Sequence, residues 1–92
     1  MNSRTTARFR KALAALPSEV QDKAHEAYAA FHRDFSHPSL RFKRVHPSRP
    51  IFSVRITLDY RALAIRDDDG DDDLIWFWIG SHAEYDRLLR QL

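Results

Sequence analysis

The stretch "LIWFWIGSHAEYD", Leu74 to Asp86, turns from strand to helix within two residues. Its first six residues carry no charge and include two Trp. An apolar run of this length, closed by turn residues, reads as a buried strand. "SHAE" (Ser81 to Glu84) then has the Ser-x-x-Glu form of a capping box, in which serine and glutamate satisfy each other's backbone amides. A short C-terminal helix follows, with Leu88, Leu89 and Leu92 as its apolar positions.

Moving upstream, "YRALAI" and "LIWFWI" flank "DDDGDDD" (Asp67 to Asp73), an acidic Asp-Gly loop that reads as a hairpin tip. "IFSVRITL" (Ile51 to Leu58) alternates, with Phe52, Val54, Ile56 and Leu58 on one face and Ile51, Ser53, Arg55 and Thr57 on the other. "HPSRP" before it is a two-proline turn, and "LRFKRV" (Leu40 to Val45) reads as a further, fraying strand. Ahead of "FSHPSL" the period becomes helical. Phe9, Leu13 and Leu16 form one stripe that ends at Pro17. "SEVQ" (Ser18 to Gln21) reads as a second capping box, and Val20, Ala24, Ala27, Tyr28 and Phe31 continue a helix face. The expected architecture is α+β. A two-helix N-terminal hairpin packs on one face of a three- to four-stranded antiparallel sheet, and a short C-terminal helix follows.

At 92 residues the chain reads as one domain, 1–92, with a small core. It has no cysteine, which excludes disulfides and thiolate metal sites. No apolar run approaches a transmembrane length and no signal-peptide core is present, so a cytoplasmic protein away from membranes is expected. Residues 1–66 carry thirteen Lys/Arg against five Asp/Glu, and residues 67–92 two against eight. The body is therefore basic, and a basic body of this size points to a polyanionic partner such as RNA or DNA.

With helices on one sheet face, the other is left for solvent or a ligand. Arg55 sits mid-strand on that other face, Arg61 lies on the next strand, and Lys43 and Arg44 on the preceding one. Arginine forks suit phosphate oxygens, so this cluster can hold a nucleic-acid backbone. A scattered, solvated strand face is the competing reading. His82, in the first turn after the Ser81 cap, is a candidate proton donor or acceptor beside an anion site. Tyr85, nearly one turn on, offers a hydroxyl or a stacking ring, or else packs into the core. "DDDGDDD" departs from the calcium-loop pattern, because Gly70 falls too early and no Glu stands at the twelfth place. His25 and His32 are seven apart, a poor spacing for chelation, so no metal site is expected.

The elements "LPSEVQDKAHEAYAAF", "HPSLRFKRV", "IFSVRITLDYRAL" and "WFWIGSHAEYDRLL" together resemble the RelE/ParE superfamily of bacterial type II toxins over nearly the whole chain. The most specific pieces are the "SVRI…YRAL" strand pair and the "IGSHAEYD" close, the latter similar to the YafQ-like branch. The resemblance implies a toxin encoded beside an antitoxin, with which it forms a hetero-oligomer. RelE-like members cleave mRNA on the ribosome, whereas ParE-like members inhibit DNA gyrase without cutting RNA. It implies Arg61 as the arginine that supports the transition-state phosphate, Arg55 and Lys43 as basic positions of the concave face, and His82 as a proton-transfer group. Tyr85 falls near an aromatic of the family. His46, in the Pro-flanked turn, is the remaining candidate for a second acid or base, and Arg41, Arg44 and Arg49 join Lys43 in holding RNA. Such chemistry needs no metal and no cofactor. The histidine after "WIGS" favours the nuclease over the gyrase inhibitor and over a non-toxic binding domain on the same fold.

Overall fold

A computed structural model of the chain describes residues 3–67 and 73–92. Its elements run β1 (Ser3–Thr5), α1 (Ala7–Ala14), α2 (Ser18–Arg33), a 3-10 turn (Pro38–Leu40), β2 (Lys43–Arg44), β3 (Ile51–Arg55), β4 (Tyr60–Asp67), β5 (Asp73–Ser81) and α3 (His82–Gln91). The strands form one sheet in the order β1-β5-β4-β3-β2. β2 to β5 pair antiparallel as expected. The fifth strand is additional: β1 joins β5 in parallel, with Thr5 opposite Trp76. The expected hairpin tip at "DDDGDDD" falls on residues that lie, apart from Asp67 and Asp73, outside the described ones.

Thr6 caps α1 by accepting from the Phe9 amide. The second expected capping box is not formed. Pro17 is the N-cap of α2, Ser18 is its first helical residue, and no side chain caps that end. Gln21 instead donates to the carbonyls of Ala14 and Leu16, satisfying the C-terminal end of α1 across the connection. The box at Ser81 and Glu84 is present in full.

One side of the sheet packs Val54, Ala62, Ala64, Leu74, Trp76 and Ile79 against Phe9, Ala24, Ala27 and Phe31 of the helical hairpin. The other side is not left open. α3 covers it, bringing Tyr85, Leu88 and Leu89 onto Ile51, Leu63, Ile65, Phe77 and Trp78. Two covered faces explain why "LIWFWI" tolerates no charge. A register shift where Leu63 and Ala64 pair with Trp78 and Trp76 leaves Phe77 as the extra residue. The bulge lets Trp76 face the hairpin while Phe77 and Trp78 both face α3.

The expected strand over Leu40 to Val45 shrinks to two residues. Leu40 is buried in the 3-10 turn, and Arg41 takes a left-handed backbone with φ of 48°. β3 stops at Arg55, so Leu58 leaves its expected face and is 70% exposed in the turn to β4.

Candidate functional site

The register of the sheet decides which cations meet. Arg55 and Arg61 are Cα partners across β3 and β4, and Arg61 is also opposite Gly80 on β5. Ser53 and Leu63 share this face, so both arginines stand on the α3 side, at the end where that helix begins. Lys43 pairs with Ser53 and belongs to the same face, whereas Arg44 pairs with Phe52 on the opposite one.

Arg61 is anchored by its turn. Nη1 donates to the carbonyls of Thr57, Leu58 and Tyr60, and among the described residues neither Nε nor Nη2 is hydrogen-bonded, so one edge of the fork is spare for an anion. Burial pushes the Arg61 guanidinium below its ordinary value, and the charges of Arg55 and Arg41 push the same way. Tyr85 and Asp86 act in the opposite sense. Arg61 nonetheless keeps its charge at any physiological pH. Among the described residues no carboxylate forms an ion pair with Arg41, Arg55 or Arg61. The result is a partly desolvated, unneutralised patch of positive potential, which is what a phosphate requires.

The same turn holds α3. The Asp59 carbonyl accepts from the His82 amide at 2.6 Å, which ties the first turn of α3 beside Arg61. His82 is exposed, and its Nδ1 lies 3.1 Å from Asp86 Oδ2, one helical turn on. Its ring meets Tyr85 edge-on at 5.8 Å. Asp86 is the group that attention to His82 alone missed; the i, i+4 spacing in "HAEYD" was the signal.

Four expected site residues lie elsewhere. Tyr85 is 6% exposed and donates its hydroxyl to Ser53 Oγ at 3.2 Å, so its ring is core and has no face for a base. His46 Nδ1 accepts from the amides of Ser48 and Arg49, and its Nε2 reaches the carbonyl of Leu92 at 3.1 Å. It structures the 46–50 turn against the C-terminal end of α3, roughly 15 Å along that ten-residue helix from His82. Arg49 belongs to this turn, and Arg44 donates to the His46 carbonyl within it. The site that the structure assembles is Arg41, Arg55, Arg61 and His82, with Lys43 on the same face.

Two further hollows flank the sheet. One, of about 320 Å³ between α1, α2 and the sheet, is walled by Phe9, Leu13, Phe31, Ile56 and Ile79, with Arg10, His25 and Tyr28 also lining it. Trp76 lines it too, and its indole N–H is buried without a partner among the described residues. The other, of about 480 Å³, lies beside Arg55 and is lined by Lys23, Arg33, His37 and Ser39. Among the described residues, no three metal-ligating side chains come together.

Residues 18–87, most of the chain, match the model of the ParE-like toxin domain. The chain belongs to the ParE-like toxin domain family. No curated protein sequence matches it. Its fold is that of solved RelE/ParE toxins. It is similar to a chain of the RelBE2 toxin–antitoxin complex from Mycobacterium tuberculosis, at 22% identity and a TM-score of 0.67, covering 88% of this chain and 96% of that one. The RelB–RelE antitoxin–toxin complex from Methanococcus jannaschii matches at 15% identity and 0.69, covering 91% and 96%. The YoeB/ParE toxin from Agrobacterium tumefaciens matches at 14% and 0.68, covering 89% and 99%. The ParE-like domain here is thus a RelE/ParE fold with a basic rim at the N-terminus of α3. Among the described residues, no helix is long and apolar enough to cross a membrane.

Proposed function

We propose that this ParE-like domain is the toxin of a type II toxin–antitoxin pair and cleaves mRNA on the ribosome by attack of a ribose 2′-hydroxyl on the adjacent phosphate. The observation that carries this reading is the Arg55–Arg61 pair standing unneutralised beside the exposed His82. Two guanidinium groups on one face supply charge where the pentacoordinate phosphate develops it. His82 supplies one proton transfer. His46, held by Leu92 at the other end of α3, does not supply the second, which then falls to solvent or to the ribosome. Inducing the protein should stop translation and yield cut mRNA. His82→Ala and Arg61→Ala should restore growth while leaving the fold intact.

The match to a ParE-like domain favours one other reading, a gyrase inhibitor in which the basic rim has no chemistry. Growth arrest with intact mRNA and an SOS response would support it instead. Under either reading the partner is a cognate antitoxin, and two of the structures it resembles are toxin–antitoxin complexes. The apolar hollow between α1, α2 and the sheet, with Arg10 and His25 among its residues and an indole N–H that has no partner among the described residues, suits an acidic amphipathic segment of that antitoxin.

A further inference from the structure

We infer that Asp86 is a positioning residue for His82, fixing the imidazole so that Nε2 is the nitrogen that meets the substrate. The catalytic meaning of this inference rests on the nuclease reading; the orientation itself rests on geometry alone. Ser81 as N-cap places His82 at the first position of α3 and Asp86 one turn later. Nδ1 and Asp86 Oδ2 lie 3.1 Å apart, within ion-pair range, and a carboxylate only accepts hydrogen bonds, so we infer that the neutral ring carries its proton on Nδ1, toward Asp86, with the lone pair on Nε2. The groups around the ring limit its other choices. Its own peptide N–H is bound to the Asp59 carbonyl, and Tyr85 meets it edge-on. Among the described residues no Lys or Arg forms an ion pair with Asp86, and its charge is felt at Arg61.

Both side chains are nearly half exposed, so the pair adds little to stability. What it supplies is orientation. In the cleavage step the 2′-hydroxyl oxygen bonds to phosphorus, its proton passes to Nε2, and the bond from phosphorus to the 5′-oxygen breaks. The leaving 5′-oxygen takes a proton from solvent. The Nδ1 proton stays directed at Asp86, whose negative charge stabilises the imidazolium as it forms.

Long-range ¹H–¹⁵N correlation on ¹⁵N-labelled protein reads the tautomer, with the ring neutral, independently of activity. The wild type should show the Nδ1–H form, and Asp86→Ala a mixture. On programmed ribosomes, Asp86→Asn should lower kcat about 10-fold with KM for mRNA within about twofold, the range for groups that orient a ligand or base. Asp86→Glu should recover part of the loss. A wild-type ring in the Nε2–H form, or Asp86→Asn cutting at the wild-type kcat, overturns the inference while leaving the nuclease reading intact. A wild type with the Nδ1–H form that cuts no RNA overturns the nuclease reading, and with it the role of Asp86.

Discussion

Arg55 and Arg61 stand opposite each other across β3 and β4, like charge against like charge, with no carboxylate paired to either among the described residues. Directly opposed like charges cost a sheet about 0.2–1 kcal/mol. Arg55→Gln should therefore stabilise the protein by about 0.5 kcal/mol in urea denaturation while weakening RNA cleavage. Arg61→Ala should lower cleavage about 100-fold, as removal of one preorganised charge does. Arg61→Lys should recover little of this, because an ammonium lacks the fork that serves the turn carbonyls and a phosphate at once.

Tyr85 tests whether burial or chemistry explains an aromatic behind His82. Among the described residues its hydroxyl bonds only Ser53 Oγ, inside the core beneath α3. Tyr85→Phe should cost about 1 kcal/mol by leaving the Ser53 hydroxyl unpaired, with toxicity on induction unchanged. Loss of toxicity in a folded Tyr85→Phe protein would return the hydroxyl to the site.

Gly80 is needed for space rather than for a turn. It lies inside β5, and no described glycine has a positive φ. A Cβ there would come within 2.6 Å of the Trp78 ring and 3.3 Å of Glu84 Oε1. Gly80→Ala should destabilise by about 1–3 kcal/mol, measured by denaturation, because the indole must move within a packed layer.

Glu84 gives the fold an acid-sensitive element. The Ser81 amide, then the Ser81 hydroxyl, donate to its carboxylate and hold it below the usual carboxylate range. A depressed folded-state value means the contribution is present above the unfolded value and is lost as pH falls through the folded one. Thermal melts of the wild type should show a loss below about pH 4 that is reduced in Glu84→Gln.

The hollow beside α2 separates neutralisation from toxicity. Tyr28 lines it and is 39% exposed, so Tyr28→Glu should fold and remain toxic. Co-expressed antitoxin should protect cells poorly from this variant, with affinity reduced at least 10-fold in a titration. Full protection would place the antitoxin elsewhere.

Much of the fold was legible because its signals are local. The Ser81–Glu84 box, the helical stripes through Phe9 and Phe31, and the alternation through Phe52, Val54 and Ile56 all carry their periods within one segment. The Ser18 box failed because Pro17 took the cap and Gln21 turned back to the end of α1. β1 was illegible, since three polar residues become a strand only when β5 offers an edge. The site divides in the same way. His82 and Arg61 could be singled out from "GSHAEYD" and "YRAL", but the placing of His46 and Tyr85 depended on what α3 covers.

By itself the sequence determined the order of the helices and of β2 to β5, the basic body and the histidine at the start of the last helix. Hydrophobic period, capping and charge are properties of neighbouring residues along the chain. Only the tertiary structure decided that Arg55 meets Arg61, that Asp86 stands within ion-pair distance of the His82 ring while Tyr85 is buried, and that α3 closes the second face of the sheet. Those relationships arise from strand register and from which apolar surfaces bury one another, and both are settled between segments far apart in the chain.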